Sequence, residues 1–134
     1  MYKRKISDQE YLTIINTIEI EIQQVLMSKM ETNYIHRIIT GSLKRFDGNI
    51  SGLQVLRGMI KRIHEKSDID EYFTIMETID NEIKRSTEEK KCLKISEIML
   101  NNRKWLDGRI CGLEKIKHII ADIYKINTMT ISMY

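Results

Sequence analysis

The stretch FDGNISGL at residues 46–53 decides the fold, because it occurs a second time as LDGRICGL at residues 106–113. Five of the eight positions are identical, and each copy places two glycines four residues apart. Asp-Gly is a common turn signal, whereas glycines four apart are typical of closely packed helices. Each copy therefore either breaks a helix in two or continues it, and the surrounding residues decide between these structures.

The spacing of apolar residues around both copies favours continuous helices. A turn would normally shift the phase of the apolar stripe, but the residues before and after each glycine pair share one face at about 100° per residue. The stripe comprises Ile35, Ile39, Phe46, Ile50, Leu53 and Ile60 in the first copy and Ile95, Met99, Leu106, Ile110, Leu113 and Ile120 in the second. The sequence therefore predicts that one helix runs through each copy without a break.

The glycines lie on the opposite side of these helices from the apolar stripe. A glycine inside a helix costs about 1 kcal/mol relative to alanine, so four of them require a compensating contact. Small residues four apart let two helix backbones approach closely, which supplies that contact. The predicted helix–helix interface comprises Gly48, Gly52, Met59, Trp105, Gly108, Gly112 and Ile119. The two glycine faces could meet within one chain, about a pseudo-two-fold axis, or across a homodimer.

A longer repeat surrounds the two glycine stretches. Residues 10–22 read EYLTIINTIEIEI and residues 71–83 read EYFTIMETIDNEI, with eight of thirteen positions identical at an offset of 61. The glycine stretches repeat at an offset of 60. The sequence therefore predicts the duplication of a unit of about 60 residues, with repeat 1 at residues 7–66 and repeat 2 at residues 68–126.

Composition and repeat together predict an all-α fold. The 134 residues include no proline and only six glycines. We expect two tandem, duplicated α-helical hairpins that form one four-helix bundle-like domain over residues 1–134, with long second and fourth helices. The expected helices cover residues 7–29, 34–65, 68–86 and 88–126, with Ser7 capping the first, Ser67 or Asp68 capping the third, and a turn at 86–89. Residues 127–134 are expected to be a frayed tail, an added strand or a partner contact.

No pattern in the sequence predicts catalysis or metal binding. The three histidines lack metal-ligand spacing, the two cysteines form neither a zinc nor a disulfide pattern, and no phosphate-binding or nucleophile motif occurs. Glu10 and Glu71 occupy matched positions but lack the Glu-x-x-His motif of di-metal bundles, so capping explains them better. We therefore expect no enzyme activity and no cofactor. Cys92 and Cys111 are expected to be reduced, partly buried thiols.

The sequence also predicts a cytoplasmic protein. No apolar run approaches the roughly 18 residues of a membrane span. The basic start of the chain is not followed by the apolar segment of a signal peptide. The many Ile, Lys and Asn residues are typical of an AT-rich genome, which suggests a phage, viral or mobile-element origin.

Charge is divided between the helices, and two explanations remain open. The first and third helices are acidic, whereas the second and fourth carry most of the 22 lysine and arginine residues. Attraction between acidic and basic helices explains this division without any ligand. A basic surface for a phosphate backbone also explains it, with contacts from Arg37, Lys44, Lys61, Arg62, Arg103 and Lys104. The net charge of only +3 and the lack of interleaved aromatic residues weaken the second explanation.

Two functional hypotheses follow from these observations. Because the sequence encodes no recognisable chemistry, the first is a small non-enzymatic interaction protein, an adaptor or inhibitor that binds another protein through a helical face. The second is a nucleic-acid-binding regulator that acts as a two-fold dimer. Both hypotheses place the binding surface on the outward faces of the helices, and the glycines are interpreted as architectural.

Overall fold

The chain folds into an all-α helical bundle. The computed structural model describes residues 5–31, 42–66, 69–93 and 97–132. Its helices are α1 (Asp8–Glu31), α2 (Ser42–Glu65), α3 (Glu71–Lys91) and α4 (Glu97–Ser132). The all-α fold class predicted from the sequence is therefore confirmed.

Both Asp-Gly stretches lie inside continuous helices, as the phase of the apolar stripe predicted. Asp47 and Gly48 belong to α2, and Asp107 and Gly108 belong to α4. At a rise of about 1.5 Å per residue, the 36 residues of α4 span about 54 Å. The residues predicted to begin the second helix, 34–41, lie outside the described part of the chain.

The N-terminal caps agree with the sequence for α1 but not for α3. The Ser7 hydroxyl accepts a hydrogen bond from the Glu10 amide at 3.1 Å, and the Ser7 amide donates to the Glu10 carboxylate at 3.2 Å, which is the predicted capping box. The cap of α3 is Asp70, whose carboxylate accepts from the Phe73 amide at 3.1 Å. The prediction of Ser67 or Asp68 was wrong, because Asp70 has the extended backbone of a cap and directly precedes the helix.

The predicted turn at residues 86–89 was also wrong, since α3 continues to Lys91 and α4 begins only at Glu97. Ser86 is buried inside α3, and the Thr87 hydroxyl donates to the Ile83 carbonyl at 2.8 Å. Such a bond lets a polar residue occupy a helix interior. Residues 127–132, predicted as a tail or strand, continue α4.

The core is built mainly from isoleucine and leucine. Ile14, Ile18 and Ile22 supply the α1 side, and the other helices contribute Leu53, Leu56, Ile60, Ile63, Ile75, Ile79, Leu106, Leu113, Ile116 and Ile120. Leu56, Ile63 and Ile116, which lie outside the predicted apolar stripe, are also fully or nearly fully buried. The long helices α2 and α4 therefore bury residues on more than one face.

Each hairpin is held by the same kinds of contact at matched positions. Within the hairpins the contacts run in opposite directions along the paired helices, so the pairs α1–α2 and α3–α4 are antiparallel. Matched pairs are Lys29–Asp47 with Lys90–Asp107, Glu19–Arg57 with Asp80–Lys117, and the stacked rings Tyr11–His64 with Tyr72–Tyr124. Every pair recurs at the offsets of 60 and 61 seen in the sequence. Duplication of one ancestral hairpin remains a prediction about the origin of these contacts.

The glycine faces of α2 and α4 meet within one chain. A Cβ atom added to Gly48 would lie 1.8 Å from the Trp105 carbonyl oxygen, and one added to Gly108 would lie 1.9 Å from the Arg45 carbonyl oxygen. Both distances are far below any real Cβ contact, so only glycine fits at these two positions. The contacts advance in the same direction along both helices, which makes α2 and α4 parallel where they cross.

The second pair of glycines lies one turn further along the same crossing. A Cβ on Gly112 would lie 2.4 Å from the Asn49 side-chain oxygen, and one on Gly52 would lie 3.1 Å from the Arg109 side chain. The glycine faces are thus covered inside the chain. A homodimer remains a prediction, and its interface would have to lie elsewhere.

Candidate interaction surface

The side of α1 that faces away from the core is apolar. Leu12, Ile20, Met27 and Met30 are 55%, 56%, 58% and 79% exposed, respectively. At about 100° per residue they fall within about 80° of one another, opposite the buried isoleucines of the same helix. Together with Asn16 and Gln23, which lie between them and are also exposed, we call these residues the outer face of α1.

No residue of the outer face of α1 carries a charge. Single exposed hydrophobic residues are normal on a protein surface, whereas apolar residues grouped on one surface mark interaction sites. From residue 12 to residue 30 the outer face is about 27 Å long. Its positions follow one another at intervals of three and four residues, the spacing with which one helix packs along another.

The matched face of α3 is chemically different. At the corresponding positions, all exposed, α3 has Phe73, Glu77, Asn81, Lys84, Glu88 and Lys91. Four of these six side chains are charged, and the single large apolar one, Phe73, is 61% exposed. Since α1 and α3 hold matched places in their hairpins, the bundle does not require an apolar outward face. The contacts within the bundle therefore do not explain the apolar character of the α1 face.

Of the residues predicted for the helix–helix interface, the four glycines and Trp105 lie at the crossing of α2 and α4. All four glycines line the crossing, and Trp105 contributes its backbone to the contact with Gly48. Met59 and Ile119 are half-buried, and Ile119 packs against the core. The bundle itself covers the glycines, so they are not available to a partner.

The predicted basic surface is divided into two groups. Lys44 and Arg103 are exposed near the crossing, and so is Arg45, a base of α2 that was not among the predicted contacts. Lys104 is half-buried and already has a partner. Lys61 and Arg62 lie about 25 Å further along α2 and are exposed. Arg37 lies outside the described residues. The predicted contacts therefore do not form one continuous patch.

A pocket of about 230 Å³ lies beside the crossing in the second hairpin and is lined by Glu82, Arg85, Ser86, Glu89, Trp105 and Arg109. Arg109 lies over the Trp105 ring and donates to Glu82 and to the Ser51 hydroxyl, both at 3.2 Å. The Arg85 guanidinium also donates to Glu82. Because the buried carboxylate is already paired with both guanidinium groups, the pocket offers little free charge to a ligand.

The remaining candidate residues are the possible metal ligands, the two cysteines and the matched glutamates. Among the described residues, no three His, Cys, Asp or Glu side chains are grouped so as to hold a metal ion. Cys92 and Cys111 are exposed, which corrects the expectation that they are partly buried. Glu10 caps α1 as expected, but Glu71 is buried and accepts from the Ile6 amide instead of capping its own helix.

Comparison with known proteins adds no function to this surface. No family model, no curated protein and no solved structure matches the chain. Within the ranges that the structure describes, none of the helices combines the length and apolar character needed to cross a membrane.

Proposed function

We propose that the protein is a small non-enzymatic interaction protein, an adaptor or inhibitor that binds another protein through the outer face of α1. The observation that carries this proposal is the contrast between two matched faces, uncharged and apolar on α1 but charged on α3. Covering an apolar face with a partner is favourable by about 25 cal/mol for each Å² that is removed from water.

The shape of the face indicates the kind of partner. It is one side of a helix, so it fits a second helix or an apolar groove, which are recurrent modes of helix recognition. Met27 and Met30 are flexible and polarisable, and methionines of this kind adapt to irregular apolar surfaces. With no charge on the face, the contacting surface of the partner should also be uncharged, because a buried unpaired charge is unfavourable.

The residues of α3 provide the test variant. Ile20→Asn, Met27→Glu and Met30→Lys give α1 the residues that α3 carries at matched positions. The control variant carries Lys84→Glu with Glu88→Lys, which alters the α3 face without changing its net charge. We expect the three substitutions on α1 to weaken the free energy of binding by about 3 kcal/mol in total, or roughly 100-fold in affinity.

The measurement is affinity capture from the source cells with tagged wild-type and variant chains. The wild type and the α3 control should retain one stoichiometric protein, and the α1 variant should lose it. Equal retention by all three chains would contradict the proposed surface. Capture of untagged copies of the chain itself would identify the partner as a homodimer.

Nucleic-acid binding is a second candidate, favoured by the exposed Lys44, Arg45 and Arg103 beside one crossing. Among the described residues none forms an ion pair with these three. Phosphate contacts by such residues give binding that falls steeply with salt. Fluorescence anisotropy with generic duplex DNA and RNA should then show binding at low salt that Lys44→Glu with Arg103→Glu abolishes. No binding at low salt would exclude this candidate.

A further inference from the structure

His64 near the end of α2 joins parts of the chain that are far apart in sequence. Its Nδ1 lies 2.5 Å from the Glu71 carboxylate of α3, and its Nε2 lies 3.1 Å from the Asp8 carboxylate at the start of α1. The imidazole also stacks on Tyr11, with ring centroids 4.0 Å apart. One side chain thus links the end of α2 to the starts of α1 and α3.

Glu71 extends this link to the residues before α1. Its side chain is completely buried and accepts a hydrogen bond from the Ile6 amide at 3.0 Å. The Lys5 ammonium lies 3.6 Å from the same carboxylate and also donates to the Lys66 carbonyl. Residues 5 and 6 are therefore held against α3 through one oxygen of a carboxylate whose other oxygen contacts His64.

The geometry requires a particular protonation state. Ionised carboxylates only accept hydrogen bonds, and a neutral imidazole has a single N–H to donate. Because each ring nitrogen of His64 faces a different carboxylate, both contacts are satisfied only when the imidazole is a cation. The second hairpin has Tyr124 at the matched position, stacked on Tyr72 at 3.8 Å, and a tyrosine cannot supply this charge.

The electrostatic surroundings favour that cation. Burial lowers the pKa of His64, but the hydrogen bonds and negative charges of Glu71 and Asp8 raise it, and the result is a pKa above the usual value. The other titratable groups at the cluster are Lys5 and Tyr11. The His64 imidazole therefore keeps its proton to a higher pH than an ordinary histidine does.

We propose that His64 is a pH-sensitive latch that holds residues 5–8 and the start of α1 against α3 while its imidazole is a cation, and releases them when it loses the proton. The direction follows from linkage. Because folding raises the pKa of His64, the charged imidazole stabilises the folded state. This stabilisation is complete below the unfolded pKa of about 6.5 and is lost as the pH rises through the folded pKa. The latch is therefore closed below about pH 6.5 and opens as the pH rises through the folded pKa of His64.

Amide hydrogen exchange of Ile6, followed by NMR between about pH 6 and pH 9, tests the latch. The His64 ring resonances report its titration in the same samples. In the wild type, the protection factor of the Ile6 amide should be constant below about pH 6.5, the value at which His64 of the open state loses its proton. Between that pH and the pKa of folded His64 it should fall by up to tenfold per pH unit, because opening there is coupled to the loss of one proton, and above the folded pKa it should level off.

Two variants separate the latch from general packing. His64→Tyr copies the second hairpin and keeps the ring stack, so Ile6 should lose its pH-dependent protection while the rest of the bundle stays protected. His118→Asn changes an exposed histidine of α4 and should leave the wild-type profile unchanged. Constant Ile6 protection in the wild type while His64 titrates would overturn the proposal, even if the His64→Tyr chain fails to fold.

Discussion

α1 and α3 hold matched places in the two hairpins, and they are alike where they face the core and different where they face solvent. Ile14 and Ile18 are buried in α1 just as Ile75 and Ile79 are buried in α3. Outward, α1 presents an uncharged apolar face and α3 a charged one. The difference shows that the bundle needs the inward residues of both helices, whereas it leaves their outward faces free to vary and therefore free to bind.

The crossing of α2 and α4 shows the same division at shorter range. Gly48 and Gly108 make near-identical contacts with the opposite backbone. The neighbouring matched positions differ, since Arg109 is paired with Glu82 whereas the buried side-chain oxygen of Asn49 has no hydrogen-bond partner among the described residues. Substitutions can therefore perturb the glycine contacts, which both hairpins share, separately from the contacts of Asn49 and Arg109, which differ.

The largest effect on stability is expected at the glycine contacts of the crossing, where the two hairpins are alike. Gly48→Ala and Gly108→Ala each place a Cβ atom on a backbone oxygen of the opposite helix, so the crossing has to open. We expect each substitution to lower the free energy of unfolding by at least about 3 kcal/mol. Chemical denaturation followed by circular dichroism measures this change.

Gly58→Ala is the control for that measurement. Gly58 lies in the same helix, but a Cβ there would meet only the Arg62 side chain, at 3.8 Å. Alanine should stabilise the helix by about 0.5–1 kcal/mol. If Gly48→Ala behaved like Gly58→Ala, the close crossing of α2 and α4 would be wrong.

A smaller effect is expected where the hairpins differ beside the crossing. Arg109→Ala removes one of two cationic partners from the buried Glu82 and should destabilise the fold by about 2 kcal/mol. Asn49→Ala at the matched position removes a buried oxygen without a partner and should change stability by less than about 1 kcal/mol. Equal losses in thermal or urea unfolding would contradict this asymmetry.

The smallest effect on stability is expected on the outer face of α1. Ile20→Asn, Met27→Glu and Met30→Lys replace exposed residues, so the free energy of unfolding should change by no more than about 0.5 kcal/mol per site. The same chain should lose its partner in affinity capture. A large loss of stability would show that these residues support the bundle and would remove the reason to assign them to binding.

The architecture could be predicted largely from the sequence, because it depends on regular spacing. The phase of the apolar stripe correctly predicted that both Asp-Gly stretches lie inside helices. The glycine spacing correctly predicted a close crossing of two helices. Local boundaries were harder to predict. Ser86–Glu89 has the composition of a turn, yet burial of Ser86 against the bundle keeps it helical.

The candidate surface could not be predicted from one helix at a time. α1 carries apolar residues on both its inward and its outward side. Because the inward stripe already accounts for an amphipathic helix, the outward apolar residues were not recognised as a second face. Aligning the repeats would have revealed the signal, since Met27 matches Glu88 and Met30 matches Lys91. The His64–Glu71 contact carries no signal in sequence spacing, because the two residues lie on different helices and meet only through the path of the turn between them.

Site-specific photocrosslinking tests the central claim most directly. A photoreactive amino acid is placed at Gln23, in the middle of the outer face of α1, or at Lys84, the matched position on α3, and each chain is irradiated in the source cells. We predict a covalent adduct with one protein from position 23 and none from position 84. Adducts of equal yield from both positions, or an adduct from position 84 alone, would contradict the assignment of binding to α1.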